Sequence, residues 1–310
     1  MKIKAVLMDM DGTLLGKSQV AVSRRNMTAI QQAIEKGVQV IPCTGRVYDM
    51  LPPQLLTQKG IRYIVTSHGA RAYDSEACTT LYEDLIPAEH VAELFKILEG
   101  KGLYNEVAAN ATIYLEKAVS QHLDMSVVPE HHLWYVRDNC YVPVEKPSEY
   151  FLANNIGVEK MNIYGIPWFM QQSVYDEITA TGFIKHTRPG AGANLEFSSV
   201  TLNKLNATDA ILGKLGISYE ETLAIGDSSS DVSILKTCGV GVAMGNAPDN
   251  IKLSTKRLFI PVETVRLTKS SNDLKSPFLE RSSTIEFITP RPTFLSPTRP
   301  KRSPPFSVLK

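Results

Sequence analysis

Two aspartates two residues apart, Asp9 and Asp11, run into Gly12-Thr13 directly after the apolar stretch Ala5-Val6-Leu7-Met8. Further along, Thr44-Gly45-Arg46 follows Val38 to Cys43, Lys204 follows Val200-Thr201-Leu202-Asn203, and Asp227 with Asp231 follows Leu223-Ala224-Ile225-Gly226. These residue types suit phosphoryl transfer. One carboxylate of a close pair can attack phosphorus and form an acyl phosphate, while the other acts as general acid and then base. If both aspartates continued a strand, their side chains would share a face. Gly12 lets the following loop curl and aim its amide hydrogens at an anion. Thr44 can donate a hydroxyl hydrogen bond, Gly45 lets the backbone approach closely, and Lys204 brings a fixed positive charge to the equatorial oxygens. Asp227 and Asp231 are hard oxygen ligands of the kind Mg²⁺ accepts beside water and phosphate oxygens.

Residues so far apart in sequence can meet only if a fold gathers them. In an open parallel sheet, ligands bind outside the carboxyl ends of the strands, and each of the four groups follows an apolar run. The first part of the chain alternates strand-like and helix-like signals, as parallel βαβ units do. Ser23 caps an expected helix with Met27, Ile30, Ala33 and Ile34 on one face and Gly37 at its end. Val38 to Pro42 and Tyr63 to Thr66 read as buried strands, and Pro52-Pro53 kinks or delays a helix over 48–58. From about residue 83 the pattern changes to helices over 87–100 and 168–179, with strands near 103–108, 112–115, 160–164 and 183–186. That mixture predicts an α+β insertion with a mostly antiparallel sheet. Leu195-Glu196-Phe197 then reads as the return to the core. The expected organisation is α/β: core over 1–82 and 187–251, a cap over 83–186, and an irregular tail over 252–310.

The chain has 310 residues, 43% of them hydrophobic, enough for a sizeable core and about two domains. Its net charge of +1 hides an asymmetry. Residues 1–251 hold 21 basic and 28 acidic residues, whereas 252–310 hold 12 basic and 4 acidic, with eight of the 18 prolines. Such a basic, Ser/Pro-rich tail buries too little apolar surface to offset its ordering entropy, and disorder is the expectation for it. Four scattered cysteines form no CxxC pair and read as reduced thiols. No apolar run reaches the roughly 20 residues that a bilayer requires, and no signal peptide precedes Asp9. A cytoplasmic protein without membrane or nucleic-acid partners is expected. No GxxxxGK[ST] sequence occurs, which argues against a P-loop nucleotidase.

With these motifs in this order, residues 1–251 resemble the phosphatases of the haloacid dehalogenase superfamily, specifically the Cof-like group with a large C2-type cap. Asp9-Met10-Asp11-Gly12-Thr13-Leu14-Leu15 matches its first motif, Thr44-Gly45-Arg46 the second, Lys204 the third and Gly226 to Asp231 the fourth. Val242 to Ala247 is similar to the segment after the fourth. The resemblance implies a Rossmann-like parallel-sheet core with an inserted cap that closes over the substrate and selects the leaving group. It implies a Mg²⁺-dependent phosphatase acting on a small phosphate monoester, a sugar phosphate or phosphorylated cofactor, through an aspartyl phosphate. Asp9 is then nucleophile and metal ligand, and Asp11 is acid/base and binds metal through its carbonyl. Thr44 and Lys204 orient the phosphoryl group, and Asp227 coordinates Mg²⁺ with Asp231 ligating or supporting. Gly12, Gly45, Arg46 and His68 are the expected substrate contacts. Alternatives are a sugar phosphomutase, or a non-catalytic phosphate-binding or interaction module if an altered carboxyl terminus impairs the core.

Four departures stand out. His68 occupies a position where the family commonly has Asn, Leu205 follows the motif lysine in place of Gly, and Ser230 replaces Asn. The fourth departure is the segment after Ile251, where the sequence shows neither the short strand nor the closing helix of the family. A changed reading frame or alternative end is the expected origin of that segment, leaving a core without its last strand.

Overall fold

The computed structural model describes residues 2–15, 20–120, 126, 128, 133–138, 140–188, 194–255 and 257–260. The chain opens with β1 (Ala5–Met8), followed by α1 (Arg24–Glu35) and β2 (Gln39–Pro42). The Ser23 side chain accepts from Asn26 N at 3.1 Å, satisfying one of the orphan amides of α1, and Ala29, Ile30 and Ala33 form its buried face. Pro52 and Pro53 do break the next segment: one 3₁₀ turn over 48–50 precedes α2 (Pro53–Leu56). β3 (Tyr63–Thr66), β4 (Arg71–Asp74) and β5 (Thr79–Glu83) form a three-stranded antiparallel sheet beside the core.

The cap follows as α3 (Ala88–Leu98), β6 (Tyr104–Ala109), β7 (Thr112–Glu116), α4 (Lys117–Ser120), α5 (Leu133–Arg137) and β8 (Val142–Val144). It continues with α6 (Pro147–Ala153), β9 (Lys160–Tyr164), α7 (Gln171–Thr179), β10 (Ile184–Arg188) and β11 (Leu195–Ser199). Its six strands lie in the order β10-β11-β9-β6-β7-β8, antiparallel throughout except for β7 beside β8. Because side chains alternate across a strand, Val107, Met161, Ile163 and Phe197 pack under α3, α6 and α7, while Tyr104, Glu106, Asn162 and Glu196 occupy the other face. Two expectations are corrected here. Leu195 to Ser199 is a cap strand, because it pairs antiparallel with β9 and β10 rather than with the core. The run Val200 to Asn203 is a turn, with Leu202 N bonded to Ser199 O and Val200 half exposed.

The core resumes with α8 (Lys204–Leu215), β12 (Thr222–Gly226), α9 (Val232–Thr237), β13 (Val240–Met244), α10 (Asp249–Ser254) and β14 (Arg257–Ile260). All five core strands run parallel in the order β14-β13-β12-β1-β2. One face, Val6, Met8, Val40 and Ile225, packs with α1 residues Ile30 and Ala33. The other face, Leu7, Ile41, Ala224 and Ala243, packs with Ile211 and Leu212 of α8 and Ile234 and Leu235 of α9. Burial on both sides explains why these strands read as continuous apolar runs, and each buried Leu or Ile contributes about 1.5–3 kcal/mol. The expected end of the core at residue 251 is also corrected. Its sheet gains a last strand, β14, whose four residues Arg257-Leu258-Phe259-Ile260 are easily lost in a basic, proline-rich composition. The remainder of the tail, 261–310, lies outside the described residues.

Candidate active site

β1 delivers Asp9 one residue beyond its end, with Asp9 N bonded to Ile225 O at 3.0 Å and the side chain buried. The chain then curls, as Leu15 N returns to Met10 O at 2.8 Å, and Gly12 adopts φ +79°. Any side chain at Gly12 would collide with Asp227, since a Cβ would sit 2.1 Å from its Oδ2. Asp11 does not extend the strand. Its carboxylate is gripped by Arg46, whose Nε and Nη2 donate to the two oxygens at 2.9 and 2.5 Å. Arg46, expected as a substrate contact, therefore holds the candidate acid/base in a bidentate pair.

Thr44 follows β2, fully buried, with Oγ1 accepting from Arg46 N at 3.1 Å and its carbonyl accepting from His68 N at 2.9 Å. Lys204 comes from a different kind of element than its preceding apolar run suggests. It is the first residue of α8, whose N-cap Asn203 accepts from Leu205 N at 2.9 Å. Leu205 in place of Gly is thus compatible with a normal helix start. Lys204 Nζ donates to Asp9 Oδ1 at 3.1 Å, Asp231 Oδ1 at 2.5 Å and Cys43 O at 3.0 Å, which uses all three of its protons. Burial works against this ammonium, but Asp231 and Asp9 outweigh it and keep it protonated well above the usual lysine range. Burial, reinforced by Asp231, raises the Asp9 carboxyl well above its ordinary value despite Lys204.

Asp9, Asp227 and Asp231 present oxygens within 4.8 Å of one another, three carboxylates to one lysine. That surplus of negative charge and the raised Asp9 fit a divalent cation. The three are not equivalent, however. Asp231 Oδ1 takes Lys204, while Oδ2 takes Asp227 N at 3.2 Å, Ser228 N at 3.0 Å and Ser228 Oγ at 2.8 Å. Four partners fill the lone-pair sites of a carboxylate, so Asp231 serves as the support of the loop, and Asp9 and Asp227 fit the ligand role. Ser230, in place of Asn, bonds Ser228 Oγ at 2.9 Å.

Sequence reasoning missed several contributors. Asn246 Nδ2 donates to Asp227 Oδ2 at 2.7 Å and Gly12 O at 3.0 Å, tying the loop after β13 to the site. Its signal was present in the motif-like segment Val242 to Ala247. From the cap, Glu196 Oε1 lies 3.1 Å from His68 Nε2, and Lys160 Nζ donates to Glu196 Oε2 at 2.6 Å. The His68 ring rests on Gly45, where a Cβ would lie 2.3 Å from Cε1. Burial lowers the His68 pKa against the pull of Glu196, so its imidazole is neutral. Burial would raise Glu196, but Lys160 and His68 hold its carboxyl well below the usual range. A second bridge is Glu159, fully buried, which accepts from Ser67 Oγ and from Ala111 N at 3.1 Å and forms an ion pair with Arg71, whose Nε lies 3.1 Å away. Apolar contacts complete the junction: Val47 and Met50, just past Arg46, pack with Tyr104, Ala108, Ile113, Leu115 and Tyr164 of the cap. Among the described residues, no helix is long and apolar enough to cross a membrane.

Comparison with known proteins agrees with this geometry. Residues 6–261 match the model of the haloacid dehalogenase-like hydrolase family. Phosphatase YwpJ of Bacillus subtilis is 28% identical over 274 residues, covering 81% of this chain and 92% of the relative. The 5-amino-6-(5-phospho-D-ribitylamino)uracil phosphatase YcsE of the same organism is 26% identical over 265 residues, covering 81% and 87%. A haloacid dehalogenase-like hydrolase from Bacteroides thetaiotaomicron superposes with a TM-score of 0.70 at 25% identity, covering 84% of this chain and 95% of that one.

Proposed function

The chain belongs to the haloacid dehalogenase-like hydrolases and is a phosphatase of the Cof-like kind, and on that premise we propose that it hydrolyses a small phosphate monoester in the cytoplasm with Asp9 as nucleophile. The observation that carries this reading is the position of Asp9, buried between Lys204 and the Asp227–Asp231 loop. Asp9 attacks phosphorus as the bond to the leaving oxygen breaks, and Asp11 delivers a proton to that oxygen. Asp11 then takes a proton from water, whose oxygen attacks phosphorus and releases Asp9 and inorganic phosphate. The Thr44 hydroxyl orients the phosphoryl oxygens, and Lys204, whose protons are held by Asp9, Asp231 and the Cys43 carbonyl, fixes Asp9 and adds positive charge beside them. Arg46 bonds both Asp11 oxygens from one side and so fixes the orientation of the carboxyl that handles the proton.

Asp9, Asp227 and the Asp11 carbonyl are the groups we assign to Mg²⁺, with Asp231 in support. When bound, the ion neutralises charge on the phosphoryl oxygens. YcsE is named for a ribityl phosphate substrate, and a sugar or cofactor phosphate is the corresponding class proposed here. A non-catalytic module was the alternative for a core without its last strand and closing helix, and β14 now supplies that strand. The test is Asp9→Asn assayed with p-nitrophenyl phosphate and Mg²⁺. Turnover falls to background while the circular dichroism spectrum is unchanged, and full activity would refute Asp9 as nucleophile.

A further inference from the structure

The loop after β13 reaches the catalytic centre through one side chain. In the parallel sheet β13 lies beside β12, with Ala243 opposite Gly226, and β12 lies beside β1, with Ile225 opposite Met8. The loops that leave β1, β12 and β13 therefore emerge side by side, and the first two carry the groups assigned to Mg²⁺. In the third, Ala247 N closes a turn on the Met244 carbonyl at 3.0 Å, and Ala247 is buried in the core, which fixes the backbone that carries the exposed Asn246. Asn246 spends both protons of its amide nitrogen on the neighbouring loops. One goes to Asp227 Oδ2 at 2.7 Å and the other to Gly12 O at 3.0 Å. Both partners are acceptors, which places the nitrogen of the amide, not its oxygen, against them. Gly12 itself is pressed on the Asp227 carboxylate, where a Cβ would lie 2.1 Å from Oδ2 and 2.8 Å from Cγ. Three loops thus meet at one carboxylate oxygen, and Asn246 joins them.

The acidic members of the cluster are secured by different chemistry. Asp9 accepts from the Lys204 ammonium, and Asp231 accepts from Lys204, two backbone amides and the Ser228 hydroxyl. Asn246 gives Asp227 a neutral donor, which restricts rotation of the carboxylate and brings no positive charge to compete with a cation. A ligand that is held in one orientation matters most to an ion with strict demands. Mg²⁺ requires near-octahedral geometry at short distances, whereas the larger Ca²⁺ takes more oxygens in flexible arrangements. Loosening Asp227 should therefore cost Mg²⁺ more than Ca²⁺.

Resting on the assignment of Asp227 to Mg²⁺ in the reading above, we propose that Asn246 is a positioning residue of the metal site: by holding the Asp227 carboxylate against the Gly12 loop it sets the affinity for Mg²⁺ and the preference for Mg²⁺ over Ca²⁺. The test needs no substrate. Thermal unfolding of the full chain is followed as MgCl₂ or CaCl₂ is added, since an ion that binds the folded state raises Tm as it fills its site. Asn246→Ala unfolds at the wild-type temperature in EDTA, binds Mg²⁺ about 10–100-fold more weakly and loses less affinity for Ca²⁺, so that its Mg²⁺ preference falls. Asn246→Asp keeps the size but turns the donor into an acceptor, and shows the same fall in preference. An Mg²⁺ affinity within about twofold of wild type in Asn246→Ala, or equal weakening for the two ions, would overturn the proposal. If the variant is less stable in EDTA, calorimetric titration of the folded protein at low temperature yields the same two affinities and is judged by the same outcomes. Wild-type protein that binds neither ion also overturns it, while Asp9 as nucleophile is decided separately by the aryl phosphate assay. Absent turnover with Asn246-dependent Mg²⁺ binding intact rejects the phosphatase reading and leaves the role of Asn246 standing.

Discussion

The catalytic core and the cap both bury charged side chains, but they assemble them by different rules. In the core, Asp9 and Thr44 follow the ends of neighbouring parallel strands, and Lys204 opens a helix, so each comes from a short contiguous motif. Every proton of Lys204 is spent on fixed acceptors. In the cap, Glu106, Asn162 and Glu196 come from alternate positions of three antiparallel strands and belong to no motif. The core site is thus fixed by loop chemistry, whereas the cap face is fixed by strand register. Phosphoryl chemistry needs the first kind of site, and discrimination among leaving groups needs the second.

Breaking each lysine–carboxylate system tests how far the contrast extends. Lys204→Met strips the partner from two buried carboxylates and is expected to destabilise the protein by about 3–5 kcal/mol and abolish turnover, as read by urea denaturation and an aryl phosphate assay. In the cap, Lys160→Met removes the lysine from Glu196 and leaves the contact with His68. The expected loss is smaller, about 1–3 kcal/mol, and equal losses for the two variants would erase the distinction. Between the two regions, Glu159→Gln keeps the shape but removes the ion pair with Arg71. It should speed hydrogen exchange in β6 and β9 relative to β1 and β12, and uniform protection would contradict a role confined to the junction.

Acid acts on two places in the core in turn, the junction with the cap first. His68 has its folded pKa pushed below 6.5 by burial, so the unfolded chain binds the proton first and stability falls as pH drops below 6.5. Asp74, hydrogen-bonded by Arg62, has its carboxyl pulled from 3.8 down to about 2, so its stabilisation is complete above 3.8 and disappears as pH falls towards 2. Acid titration of stability should therefore show a His68-dependent decline first, removed by His68→Asn, and an Arg62-dependent decline later, removed by Arg62→Ala. Reversal of that order would contradict both assignments.

Much of the core was legible because a parallel strand buried on both faces leaves an uninterrupted apolar run, as Ala5 to Met8 and Leu223 to Gly226 do. The same cue misled at Val200 to Asn203, since four residues of mixed polarity fit a turn as well as a strand. Leu195 to Ser199 was legible as a strand but not as a cap strand, because pairing direction is set by partners that lie 32 or more residues earlier at Ile163, or in β10. β14 was hidden by averaging, with four strand-forming residues at the edge of a long basic segment. Lys160-Met161-Asn162-Ile163-Tyr164 displays its alternation openly, yet nothing in it says that the polar face is covered by the catalytic loops. The bidentate grip of Arg46 on Asp11 was not legible, since it depends on how the loop after β1 curls.

The most direct test traps the covalent step. Protein mixed with p-nitrophenyl phosphate and Mg²⁺ is quenched in the steady state, reduced with borohydride, digested and analysed by mass spectrometry. An aspartyl phosphate on Asp9 converts that residue, and not Asp11, to homoserine, and the product is missing when substrate is omitted. Homoserine at Asp11, or an unmodified Asp9 in an enzyme that is turning over, would contradict the account.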